Sequence, residues 1–199
     1  MPLKNYLDEI RDYTIREALP DAGRTALLVV DMQYYFRELA EPILKNVISL
    51  IDVCRKKGLK VIFTRHGHRD PQEDGGMLKE WWGELIEYGT RGWELMEELD
   101  ASQELILDKN RYSAFFNTDL EEKLQRWEVR DLIITGVMTN CCCETTARDA
   151  FMRDYRVFFI TDATATTDEE LHLATLKNLA FGFAYIVSTS DLCEHLNKD

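Results

Sequence analysis

Six short, nearly all-apolar runs, separated by stretches of helical periodicity, constrain this chain more than any other feature. They are TALLVVD (25–31), LKVIFTR (59–65), LIL (105–107), LII (132–134), VFFIT (157–161) and YIVS (185–188). Runs that are apolar throughout, and not alternating, predict strands buried on both faces, as in a parallel sheet. Between the first two, Pro42 opens a helix with Ile43, Leu44, Val47, Ile48, Ile51 and Cys54 on one face, and Gly58 closes it. Residues 118–127 and 168–181 read as further helices, and residues 4–18 as an amphipathic helix in an N-terminal extension over 1–20. Residues 66–90 are Gly-rich and polar, and read as a long loop with a short helix. Strands alternating with helices predict one three-layer α/β/α domain over residues 1–199, with a six-stranded parallel, Rossmann-like sheet.

Charge and cysteine content narrow the partners. Asp and Glu number 36 against 24 Lys and Arg, and the net charge of -12 argues against nucleic acid or an anionic membrane. No apolar run approaches the roughly 20 residues needed to span a bilayer. The start, MPLKNYLDEIRDY, lacks the apolar core of a secretory signal. Five cysteines, three of them adjacent, make no disulfide framework, so a reducing cytoplasm is expected. There is no Cys-x-x-Cys pair to suggest a dithiol redox site or a structural zinc.

The chemistry concentrates in TGVMTNCCCETTARDAF (135–151). Gly136 breaks the fourth strand, Thr139 or Asn140 can cap a helix, and the three cysteines occupy its first turn. The amides and positive dipole end of such a turn favour an anion, so a thiol there is expected to lose its proton more readily. In an open parallel sheet, sites gather beyond the carboxyl ends of the strands. Asp31 ends the first strand, Lys109 follows the third, and the cysteines follow the fourth. A carboxylate base, a cation and a thiol nucleophile form a consistent set. Spacing alone leaves open which cysteine attacks, and what it attacks.

The segments LLVVDMQYYF, LDKNRYSAF and GVMTNCCCETTARDAF resemble, in order, three signature segments of the isochorismatase-like cysteine hydrolases. The resemblance runs over about residues 25–189. Through the form Gly-Val-x-Thr-x-x-Cys it implies Cys142 as nucleophile, with Asp31 as proton acceptor and Lys109 as its partner. It also implies a cis peptide between Val137 and Met138, with the amides of Met138 and Cys142 turned toward one oxyanion. The continuous pattern from GVMTN through TDATAT to NLAFGFAY is most similar to the nicotinamidase-like branch known from plants. The implied activity is cleavage of a small-molecule amide through a thioester, with nicotinamide giving nicotinate and ammonia. Phe36, Trp81 and Trp82 are candidates to stack on a flat aromatic amide, Trp82 reading equally as an ordinary loop aromatic; Gln33 is a further candidate substrate contact.

Many nicotinamidases carry an Asp-x-His…His metal site after the second strand. Here that segment is Thr64-Arg65-His66-Gly67-His68: His68 matches one ligand, and His66 stands in the aspartate position. No cofactor and no metal are expected; His66 and His68 read as solvated loop residues, able at most to hold a divalent ion weakly. The alternative activity is metal-independent cleavage of a carbamoyl or ureido compound. A non-catalytic thiol-based binding or redox-sensing protein is a third reading, which the joint presence of Asp31, Lys109 and Cys142 disfavours. Family precedent and the aromatic loops imply a homodimer or homotetramer.

Overall fold

The apolar runs form six parallel strands in the order β3-β2-β1-β4-β5-β6. The strands are β1 (Thr25–Val30), β2 (Lys60–His66), β3 (Leu105–Lys109), β4 (Asp131–Val137), β5 (Arg156–Ala165) and β6 (Tyr185–Val187). The computed structural model describes residues 6–198. The helices are α1 (Arg37–Ala40), α2 (Leu44–Lys56), α3 (Gly76–Trp82), α4 (Leu120–Arg126), α5 (Glu144–Met152), α6 (Glu169–Gly182) and α7 (Thr189–Lys198). The two-residue period of β1 splits the core in two. Ala26, Leu28 and Val30 face Leu120, Leu124, Ala147, Ala150, Leu176 and Leu179 of α4, α5 and α6. Leu27 and Val29 face Val47, Leu50, Ile51, Cys54, Leu192 and Leu196 of α2 and α7. Each such aliphatic side chain taken fully out of water contributes roughly 1.5–3 kcal/mol.

The winding of the sheet reverses between β1 and β4, which opens a crevice beyond their carboxyl ends. Gly136 makes that junction possible. It pairs with Val30 at φ 115°, and a Cβ built there would lie 2.0 Å from the Val30 carbonyl oxygen. The pairing of β4 with β5 shifts register between Ile134 and Gly136, and β5 runs on to Ala165, beyond the expected end at Thr161.

Three expectations change. The helix expected from Pro42 begins as a 3-10 turn over Glu41–Ile43, with α2 proper starting at Leu44. The helix expected over residues 4–18 does not form: residues 4 and 5 lie outside the described residues, and beyond them stands one 3-10 turn, Arg11–Tyr13. The Tyr13 N–H donates to the Ile10 carbonyl and the Thr14 N–H to the Arg11 carbonyl, 3-10 bonds in place of the helical ones. The Thr14 hydroxyl adds a bond to the Ile10 carbonyl. Tyr6, Leu7 and Ile10 instead anchor the segment against the α5–α6 side of the core. Helix α7 was not foreseen, although its signal is present: the Asp191 N–H donates to Ser188 Oγ and the Ser188 hydroxyl to Asp191 Oδ2, a reciprocal cap. No helix among the described residues is long and apolar enough to cross a membrane.

Candidate active site

Asp31 leaves β1 at φ 50°, a left-handed conformation that a short polar side chain tolerates better than most. Thr64 of β2 braces it from both sides, accepting the Asp31 N–H at 3.1 Å and donating to Oδ1 at 2.5 Å. Lys109, the last residue of β3, donates its Nζ to Asp31 Oδ2 at 2.7 Å and to the Arg111 carbonyl at 3.1 Å. Both charged side chains are fully buried. Such a pair is tenable because each charge supplies the other's counterion and the remaining lone pairs find donors. Burial works against the Lys109 charge, but Asp31 and the neighbouring Cys142 outweigh it and raise the lysine pKa.

The third member arrives from the far side of the crevice. The Val137–Met138 peptide is cis, as the resemblance implied. The Met138 carbonyl then accepts the N–H groups of both Cys141 and Cys143, at 3.1 Å each. The result is a π-helical turn, Thr139–Cys143, in place of the expected first α-helical turn, and α5 starts at Glu144. Such wide turns recur at functional sites. The three cysteines separate in role. Cys142 is 5% exposed, its sulfur lies within 4.8 Å of an Asp31 carboxylate oxygen, and it feels the charges of both Asp31 and Lys109. Cys143 is buried in the core, and the half-buried Cys141 faces the Tyr112 hydroxyl. The expectation of a readily ionised thiol is corrected. Burial raises the Cys142 pKa well above its ordinary value; Lys109 pulls it down and Asp31 pushes it up again. The resting arrangement is therefore a protonated thiol beside a lysine-paired carboxylate.

His66 and His68 are not solvated loop residues. The 66–90 segment folds back on itself, the His68 N–H donating to the Ile86 carbonyl and the Tyr88 N–H to the His68 carbonyl, at 2.8 Å each. Both histidines are thereby buried, their rings 5.3 Å apart and edge to face. Burial, reinforced by Lys109, lowers the His66 pKa to about 3, so this imidazole is neutral. Among the described residues, buried His66 Nδ1 and His68 Nε2 have no hydrogen-bond partner. His68 Nδ1 is held by Asp74 at 2.9 Å.

Asp31, His66 and Cys142 offer ligand atoms within 4.8 Å of one another. The Lys109 ammonium already occupies Asp31 Oδ2, however, and Thr64 occupies Oδ1. The two histidines alone supply fewer than the three protein ligands of a catalytic zinc site.

The expected substrate contacts divide as well. Gln33 is spent on the framework: its Nε2 donates to the His66 and Trp93 carbonyls at 2.9 and 2.8 Å, and its Oε1 accepts the His66 N–H at 2.8 Å. Phe36 is half-buried against the α2 side of the core, edge-on to Tyr35. Trp81 is 77% exposed on α3. Its neighbour Trp82, the less favoured of the two from sequence, is the one tied to the site: Nε1 donates to Tyr112 Oη at 2.7 Å, and Tyr112 in turn meets Cys141. Thr64 and Tyr112 were missed altogether, since a threonine in a strand and a tyrosine in a loop carry no local signal. A cavity of about 710 Å³ opens beside α3, lined by residues that include Tyr35, Lys79, Ile86 and Gly92; the charged pair and Cys142 are not among them.

With this geometry in hand, the likenesses to known proteins become informative. The isochorismatase domain matches residues 25–191. Nicotinamidase 3 of Arabidopsis thaliana is 50% identical over 186 residues, covering 92% of this chain and 93% of that protein. A cysteine hydrolase structure from Pseudomonas syringae pv. phaseolicola 1448A superposes with a TM-score of 0.87 at 28% identity, over 92% of this chain and 96% of that one. The pyrazinamidase/nicotinamidase of Streptococcus mutans UA159 gives a TM-score of 0.73 at 27% identity, over 82% and 99%. A match that runs from the first strand into the last helix, on a sheet carrying Asp31, Lys109 and Cys142 at its reversal point, leads to one conclusion: this chain belongs to the isochorismatase family.

Proposed function

We propose that this protein is a cysteine amidohydrolase that converts nicotinamide to nicotinate and ammonia. The observation that carries the reading is the buried contact of Cys142 with the Asp31–Lys109 pair, at the sheet position where α/β enzymes place their sites. The half-identical nicotinamidase supports the choice of amide.

In this reading Asp31 takes the Cys142 proton as the sulfur attacks the amide carbonyl, so the thiolate exists mainly during attack. Lys109 stays charged throughout and keeps Asp31 from being left as an unpaired buried anion. The oxyanion is received by the backbone N–H groups of Met138 and Cys142, fixed dipoles that need no reorganisation. Asp31 then delivers its proton to the departing nitrogen, which leaves as ammonia. Water enters, loses a proton to the same carboxylate, and attacks the thioester carbonyl; the sulfur leaves and recovers its proton. No step calls for a metal, and we place His66 as a neutral imidazole facing the acyl group. Trp82, held to Tyr112, is the aromatic side chain assigned to border a flat substrate.

A metal-independent amidase of a carbamoyl or ureido compound is the second reading, favoured by the incomplete metal-donor set. Ammonia and acid release from nicotinamide, set against a panel of carbamoyl and ureido amides, separates the two. Turnover of a ureido amide with nicotinamide untouched would overturn the first. The exposed Met77, Trp81 and Trp82 of α3 favour a homodimer or homotetramer, and five free cysteines suit the cytoplasm.

A further inference from the structure

Three side chains of the nucleophile turn and its helix are held from outside by one stretch of chain. Thr139 Oγ1 lies 3.0 Å from His172 Nδ1. The Thr166 hydroxyl donates to Asn140 Oδ1 at 2.6 Å, and the Thr175 hydroxyl to Glu144 Oε2 at 2.7 Å. His172 and Thr175 share one face of α6, three residues apart, and Thr166 lies on the connection from β5. Both Thr139 and His172 are buried. The tautomer follows from the surroundings. His172 Nε2 lies 3.2 Å from the Thr161 carbonyl, which can only accept, so Nε2 carries the hydrogen. Burial keeps the ring neutral, which leaves Nδ1 as the acceptor and Thr139 as the donor. Tyr6 packs against the ring, centroids 4.7 Å apart.

We propose that His172 is a positioning residue for Cys142, acting through Thr139 to fix the π-helical turn that aims the thiol and its amide. Thr139 is the first residue of that turn and follows Met138, whose carbonyl gathers two of the turn's amides. Turning Thr139 therefore re-aims every group between Met138 and Cys143. The inference rests on Cys142 being the nucleophile, as proposed above.

Two near-isosteric replacements divide the bonds of the imidazole. His172→Asn places an amide oxygen at the δ position and keeps an acceptor for Thr139. His172→Gln places its amide at the ε position, keeps a donor for the Thr161 carbonyl, and abandons Thr139. The measurements are the iodoacetamide rate at Cys142 read by peptide mass, kcat and KM for nicotinamide, and Tm. His172→Gln is expected to slow both alkylation and kcat by about tenfold or more, with KM within about twofold. His172→Asn should stay within about threefold of the parent at a similar Tm. Thr139→Val should reproduce the His172→Gln loss, Thr139→Ser should not, and the Thr139→Val/His172→Gln double variant should lose little more, because both remove one shared bond. The Thr139 pair keeps the question open to test where a His172 variant does not fold. Equal rates for Asn and Gln, losses that multiply in the double variant, or rates that merely follow Tm would overturn the proposal. Failure of the amidase reading looks different: the parent would release no ammonia while the alkylation contrast persisted.

Discussion

Two buried carboxylates sit at opposite rims of the same sheet and do different things. Asp131, at the amino end of β4, accepts the Asp21 N–H at 2.7 Å and faces Arg156 of β5 at 3.3 Å. Asp31, beyond the carboxyl end of β1, meets Lys109, Thr64 and the Cys142 thiol. Both are fully buried, and both have a cation beside them. At the amino rim the partners are a backbone amide and an arginine, neither of which gives up a proton near neutral pH. At the carboxyl rim one partner is a thiol, so the carboxylate has a proton to take and return. Burial beside a cation marks a stabilised carboxylate; an exchangeable proton next to it is what makes a site.

The comparison breaks most visibly through substitution at the two rims. Cys142→Ala is expected to abolish ammonia release, and Asp31→Asn to lower it by roughly 10²–10⁴-fold, the usual worth of a general base. Asp131→Asn should leave kcat unchanged; a comparable fall in activity there would erase the distinction between the rims. Mass mapping after limiting alkylation should find the label on Cys142, and Cys141→Ala and Cys143→Ala should retain substantial activity.

Titration sharpens the same contrast, because the two charged partners pull the thiol in opposite directions. Lys109 lowers the Cys142 pKa, so Lys109→Met should move the alkylation profile to higher pH and restore part of the lost rate in alkali. Asp31 raises it, so Asp31→Asn should move the profile to lower pH even as turnover is lost. Profiles that shift the same way would remove the carboxylate–thiol contact from the mechanism.

At the amino rim the expected cost is to stability. Asp131→Ala strips the Asp21 amide of its acceptor and Arg156 of its counterion and should cost about 1–3 kcal/mol, read as a lowered denaturant midpoint. The smallest effect expected is that of exhaustive chelation, which should leave activity in place since His66 and His68 alone supply fewer than the three protein ligands of a catalytic zinc site. Loss of activity on chelation, with recovery on adding zinc, would revive a metal at His66 and His68.

Sequence by itself determined the sheet, its burial and the strand ends that carry Asp31, Lys109 and the cysteines, because apolar runs and their periodicity are local properties. The same locality explains the unforeseen parts. An amphipathic stretch at residues 4–18 reads as a helix, yet its apolar residues serve equally as single anchors once the backbone turns into 3-10 bonds at Tyr13 and Thr14. Two adjacent tryptophans on α3 point in different directions, and only the fold shows that Trp82, not Trp81, reaches Tyr112. His66 and His68 look solvated until the 66–90 segment closes over them. Where the resting proton sits was likewise decided by tertiary structure alone. A helix start suggests an ionised thiol, but desolvation of Cys142 and the carboxylate beside it outweigh that pull, and that carboxylate comes from the end of the sheet's first strand, far away in the chain.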